Sequence, residues 1–175
     1  GRAKDSNDLT QKSILKMFAL GAEGTLLEKL QQFHIVPLTI SYEYDPCDYL
    51  KAAEMQAKRD DMNWNKGPMD DAISMQTGIF GYKGSIHYHA APCIDDYLEA
   101  LKSKSNISNG DLLDTICLHI DKQIHRNYYL YANNYIALDE LEGTTTYADK
   151  YTDADKAKFD AYLKQQLAKI EVVNR

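Results

Sequence analysis

The stretch that most constrains this chain runs from His34 to Glu43 and reads His-Ile-Val-Pro-Leu-Thr-Ile-Ser-Tyr-Glu. Ile35, Val36, Leu38 and Ile40 make a short apolar run, rich in β-branched residues and bounded by polar ones, which is the pattern of a strand buried on both faces. Pro37 sits inside the run. A proline gives no N–H to a ladder, so the strand should lie at a sheet edge, begin at the proline or carry a bulge there. An ordinary edge strand with no part in chemistry reads the same way.

On either side of this strand the pattern changes from alternation to helical spacing. Thr10 to Leu20 places Ile14, Leu15, Phe18 and Ala19 on one helical face, and Gly21 and Gly24 break it. Thr25 with Glu28 three residues on is a capping-box signature for a second helix through Leu26, Leu27 and Leu30. Asp45-Pro46 opens a turn before a helix over 48–61, and Met62 to Pro68 is a polar loop holding the single Trp64, partly exposed. Asp70 to Thr77 predicts a further short helix, with Gly78 to Gly84 as turn residues. Ser85 to Ala90 alternates as a half-buried strand, with Ile86, Tyr88 and Ala90 on one face and His87 and His89 on the other. Ala91-Pro92 closes it before a helix from Ile94 to about Lys102.

Ser108 with Asp111 opens a long helix whose apolar stripe is expected to continue through Ile124 to Tyr128, Tyr131 and Tyr135. Such a stripe packs as core or lines a groove. Thr152 with Asp155 caps a last helix carrying Phe159, Tyr162, Leu163 and Leu167. The expected class is α/β: a small sheet flanked by helices over 1–103, followed by a helical C-terminal region over 104–175.

Composition narrows the function classes. The chain has 20 Lys and Arg against 26 Asp and Glu, a net charge of −6, with no dense basic stripe. That argues against nucleic acid as a partner and against strong electrostatic attachment to anionic lipid. Cys47, Cys93 and Cys117 are odd in number and widely spaced, so neither a disulfide framework nor a zinc site is indicated, and they read as reduced cytosolic thiols. No apolar run approaches the roughly 18 residues of a membrane helix, so any lipid contact is expected to be peripheral. His87 and His89 share a face at a spacing seen in metal sites, but the sequence offers no third ligand; hydrogen-bonded histidines are the plainer reading. No Gly-x-Ser-x-Gly and no nucleotide-binding Gly loop is present.

Val36-Pro37-Leu38, closed by Tyr42-Glu43, resembles the fourth sequence block of the bacterial-type glycerol-3-phosphate and 1-acylglycerol-3-phosphate acyltransferases. In that family an apolar strand with Val/Ile-Pro is followed, in the glycerol-3-phosphate branch, by Tyr-Glu. The family's third block is Glu-Gly followed by small and basic residues that bind the substrate phosphate. Gly1 stands at about the right distance from Pro37 to be that Gly, although Ala3 occupies the place of the family's Arg and the cations here are Arg2 and Lys4. Glu23-Gly24-Thr25 spells the same start, but Leu26 and Leu27 follow it, and helix punctuation explains it. Ala90-Ala91-Pro92 stands where the family has Gly-Glu-Pro. The resemblance covers Gly1 to about Tyr97, and nothing beyond Ser103 resembles the family.

The resemblance implies an α/β fold of which this chain is the downstream portion. It implies an activity that moves an acyl group from acyl-CoA or acyl carrier protein to a glycerol phosphate, in phospholipid biosynthesis at the cytoplasmic membrane face. No further cofactor is implied. Gly1, Arg2 and Lys4 would hold the substrate phosphate, and Pro37, Tyr42 and Glu43 would shape the acyl or acceptor pocket. The family's catalytic pair is a His and an Asp five positions apart. Five positions beyond His34, His87, His89, His119 and His125 stand Thr39, Pro92, Ile94, Ile124 and Leu130. The pair is therefore absent, and the chain by itself is expected not to catalyse. The alternative, from a different class, is a non-enzymatic α/β module whose Tyr-rich helices dock a protein partner.

Overall fold

The computed structural model describes residues 9–103 and 107–170, and within these the protein is mostly helical around one two-stranded sheet. In chain order the elements are α1 (Lys12–Leu20), α2 (Leu26–Gln31), β1 (Leu38–Tyr42), α3 (Asp48–Asp60), α4 (Asp70–Phe80), β2 (Ile86–Ala90), α5 (Asp95–Lys102), α6 (Asn109–Arg126), α7 (Ala132–Glu142), a 3-10 turn Ala148–Lys150, and α8 (Asp153–Leu167). The helix starts follow local chemistry. The Thr25 and Thr152 hydroxyls accept from the N–H groups of Glu28 and Asp155, whose carboxylates accept back from the capping backbone. Ser108 accepts from the Asp111 N–H in the same way. Each such cap satisfies donors that a helix start otherwise leaves unpaired.

Two helix boundaries differ from the sequence expectation. α4 runs through Gly78 to Phe80 and ends at Gly81, where an added Cβ would clash with Pro46 Cβ. The long C-terminal stripe is interrupted. α6 ends at Arg126, with Asn127 at its end, and α7 begins only after Tyr131, whose N–H is taken by the Asn134 side chain at 2.8 Å. Tyr128, Tyr131 and Tyr135 therefore do not continue the stripe of α6.

β1 and β2 are antiparallel. Ala91 N–H donates to Pro37 O and Glu43 N–H to Ser85 O, which sets Thr39 opposite His89 and Ile40 opposite Tyr88. The central strand is not buried on both faces. Thr39 and Ser41 are buried, whereas Leu38, Ile40 and Tyr42 are exposed. β2 repeats the inversion, with Ile86 and Tyr88 exposed and His87 and His89 half-buried. The reason is hydrogen bonding. Thr39 Oγ1 donates to Ile124 O at 3.1 Å, and Ser41 Oγ accepts from Tyr129 N–H at 3.0 Å. These hydroxyls partner backbone groups at and after the end of α6, a task no aliphatic side chain can perform.

The chain forms two compact units, each built from two segments: residues up to Ile40 with His87–Tyr128, and Ser41–Ile86 with residues from Tyr129 on. The core of the first unit is aliphatic, with Leu15 of α1, Leu30 of α2, Leu98 of α5 and Ile116 of α6 almost fully buried. Gln31 of α2 donates to the Asp95 carbonyl and to Glu99 of α5, fixing the contact between those helices.

The second unit is held by aromatic and polar groups. Tyr44 is 4 % exposed, its ring 4.1 Å from Tyr162 and 5.8 Å from Tyr82, with Lys158 Nζ 5.4 Å from its centroid. Tyr162 donates its hydroxyl to Asp48 at 2.5 Å, and burial followed by this contact pushes its pKa well above the ordinary tyrosine value. α4 is inverted like β1: Ser74, Thr77 and Gly78 are half-buried, and Ile73, Met75, Ile79 and Phe80 are exposed. Among the described residues no helix is long and apolar enough to cross a membrane.

Candidate functional site

The strand pairing continues past β1 and β2 toward the N-terminus of α5, and it does so out of step. Ala91 N–H donates to Pro37 O, but the next bond runs from Ile94 N–H to Ile35 O. Two residues, Pro92 and Cys93, therefore stand opposite the single Val36. This is the two-against-one count of a β-bulge, which redirects the side chain of the extra residue. Of the three places open to Pro37, the structure shows the strand start: Pro37 immediately precedes β1 and is buried, and the bulge lies on the opposing segment, at a second proline.

The bulge brings together three side chains far apart in sequence. The ring of His34, the thiol of Cys93 and the carboxylate of Asp95 each offer one ligand atom, and these atoms all lie within 4.8 Å of one another. His34 Nδ1 is 2.5 Å from Asp95 Oδ2. His34 adopts φ +46°, the left-handed region that non-glycine residues rarely enter, after Phe33 and His34 donate their N–H groups to Leu30 and Gln31 at the end of α2. Asp95 is the first residue of α5, where the positive end of the helix dipole favours a carboxylate.

The contact is a histidine–carboxylate hydrogen bond open on one side. The His34 ring, then the nearby Cys93 thiol, hold the Asp95 carboxyl below its ordinary value, against desolvation. The His34 side chain is 76 % exposed and that of Asp95 28 %. Asp95 Oδ1 is buried and has no well-aligned donor among the described residues. The chemistry on offer is an imidazole oriented by a carboxylate, with a thiol alongside: a set able to move a proton or to hold a cation.

The residues singled out by sequence are placed as follows. Gly1, Arg2 and Lys4 lie outside the described residues. Pro37 belongs to the first unit, Tyr42 and Glu43 to the second. Tyr42 is exposed, while Glu43 points inward. Burial raises the Glu43 pKa, but its bonds to Lys158 Nζ at 2.6 Å and Ser85 N–H at 2.8 Å outweigh that and hold it below the ordinary value. Its carbonyl accepts from the Asn133 side chain. His87 and His89 belong to no three-ligand cluster among the described residues. An open cleft of about 470 Å³ lies elsewhere in the first unit, between the start of α1 and the middle of α6, where buried Asp121 accepts both the N–H and the hydroxyl of Thr10.

Sequence reading missed the His34–Cys93–Asp95 cluster. His34 and Asp95 are separated by 61 positions. The one available signal was Cys93 between Pro92 and a helix start, a place where a bulge can turn a side chain. Comparison with protein-family models, with curated proteins and with solved structures found no match to this chain.

Proposed function

We propose that this chain is the downstream part of an acyltransferase that moves an acyl group from acyl-CoA or acyl carrier protein to glycerol-3-phosphate or 1-acylglycerol-3-phosphate. The observation that carries the reading is the block Val36-Pro37-Leu38 with Tyr42-Glu43, together with the outward-facing Leu38 and Ile40 of its strand. Exposed aliphatic side chains on a strand are what a larger α/β domain would leave when seen without the layer that packs on them. The outward Ile73, Met75, Ile79 and Phe80 of α4 support the same reading.

In this reading Gly1, Arg2 and Lys4 take the acceptor phosphate, the cations by charge-assisted hydrogen bonds. Pro37 and Tyr42 border the acyl or acceptor pocket. Glu43 acts from beneath, fixing the turn before β2 through Ser85. The base that deprotonates the acceptor hydroxyl, and the carboxylate that orients it, come from a His-x-x-x-x-Asp outside this chain. The protein works at the cytoplasmic face of the membrane and touches lipid peripherally.

The test is acyl transfer by the protein expressed from its whole open reading frame, with labelled acyl-CoA and acyl carrier protein as donors and both glycerol phosphates as acceptors. The expected result is turnover that requires an upstream His-x-x-x-x-Asp, with Arg2→Ala and Lys4→Ala raising the acceptor KM. A reading frame without that pair, or turnover by residues 1–175 alone, overturns the proposal.

A further inference from the structure

We propose that His34, Cys93 and Asp95 bind a single zinc ion, with the fourth coordination position open to solvent. The inference is independent of the acyl-transfer reading, because it uses no residue assigned to that reaction.

The donor set selects the metal. One imidazole nitrogen, one thiolate and one carboxylate oxygen suit borderline-soft zinc, and three protein ligands with an open fourth position is the arrangement of zinc sites that bind water or substrate. Magnesium and calcium take oxygen ligands, and copper(I) prefers several sulfurs. Among the described residues no other three His, Cys, Asp or Glu side chains converge in this way.

The geometry is near what zinc needs. Ligand atoms about 2.0–2.3 Å from a zinc ion stand roughly 3–4 Å apart. Here the three atoms fall within 4.8 Å, and the His34 side chain lies mostly in solvent. His34 Nδ1 and Asp95 Oδ2 are hydrogen-bonded at 2.5 Å. The ion would take the place of that hydrogen bond, the Cys93 thiol giving its proton to solvent and the neutral His34 ring carrying its N–H on Nε2.

Two local features fit a ligand here better than a simple ion pair does. Asp95 Oδ1 is buried without a well-aligned donor, a state that buried carboxylate oxygens seldom keep. A cation held by both oxygens of the carboxylate would satisfy it. His34 is the only non-glycine residue with positive φ among the described residues, and the Pro92–Cys93 bulge aims the thiol to the same place. Backbone strain and a bulge on facing segments thus serve one point in space.

The experiment is titration of the reduced, metal-free protein with cobalt(II), a spectroscopic stand-in for zinc. The expected result is a thiolate-to-cobalt charge-transfer band saturating at one ion per chain and removed by added zinc. Cys93→Ser should abolish the band, and Cys47→Ser should leave it. His34→Asn, whose side chain tolerates the left-handed backbone, should weaken binding at least about tenfold, as should Asp95→Asn. The exposed ring makes His34→Asn safe for folding, so it decides the question even if Cys93→Ser unfolds. No band, a band that survives Cys93→Ser in folded protein, or unchanged affinity in His34→Asn overturns the proposal.

Discussion

Thr39 Oγ1 donates a 3.1 Å hydrogen bond to the carbonyl oxygen of Ile124, in the last turn of α6. The threonine is 2 % exposed, so its hydroxyl has no access to water and this bond is its partner in the first unit. Replacing it by valine keeps the shape and removes the donor. Because Ile124 O also accepts from Asn127 N–H, the carbonyl is not left orphaned. Thr39→Val should cost about 1 kcal/mol, whereas Leu38→Thr on the exposed face should stay within about 0.5 kcal/mol. Denaturant midpoints of the two variants check the order. A larger loss from Leu38→Thr would mean that Leu38 is covered.

Lys158 and Glu43 offer a second test. Their side chains are 54 % and 15 % exposed, so water screens the lysine end. A double-mutant cycle between Glu43→Gln and Lys158→Met should give a coupling below about 1 kcal/mol, shrinking in high salt. Glu43→Gln alone should cost more than Lys158→Met, since the carboxylate also receives the Ser85 N–H.

Two glycines with nearly equal φ separate backbone strain from collision. Gly84 and Gly143 have φ of +63° and +65°. A Cβ at Gly84 would lie 2.5 Å from Glu43 Oε2 and 2.9 Å from Glu43 Cβ, whereas one at Gly143 would meet nothing within 4 Å. Gly143→Ala should cost about 1 kcal/mol, the penalty of the left-handed region. Gly84→Ala should cost clearly more, and equal thermal shifts would refute the collision.

Asp139 predicts a pH dependence. It is 2 % exposed, and burial raises its pKa, but Thr144 Oγ1, Tyr151 OH and the Tyr147 N–H hold it below the ordinary carboxylate range. A carboxylate depressed in the folded state adds stability that is present above its unfolded pKa, about 4, and is lost as pH falls through the folded value. Asp139→Asn should therefore melt well below the parent protein at pH 7, with the gap narrowing toward pH 3. A constant gap would show that shape, not charge, is what the site requires.

The capping boxes at Thr25, Ser108 and Thr152 were legible because their partners lie three residues away, and the cap is a property of the local chain. The apolar face of α1 and the helices over 48–60 and 95–102 were legible for the same reason. The end of α6 was not. Nothing in the apolar spacing of Ile124, Tyr128 and Tyr131 announces that the Asn134 side chain claims the Tyr131 N–H. The candidate site was legible only as isolated residues, His34 and Cys93, each with an ordinary explanation.

From the sequence alone came the two strands, most of the helices in their order, the starts of α2, α6 and α8, and the recognition that Val36-Pro37-Leu38 is an unusual stretch. These depend on periodicity, proline geometry and contacts within a few residues. The tertiary structure decided which face of β1 is buried, where the pairing slips by a residue, and that His34 meets Asp95. Strand alternation states that two faces differ without saying which one turns inward. Here Thr39 bonds the Ile124 carbonyl and Ser41 accepts from the Tyr129 N–H, so the hydroxyls turned in and the aliphatic side chains turned out.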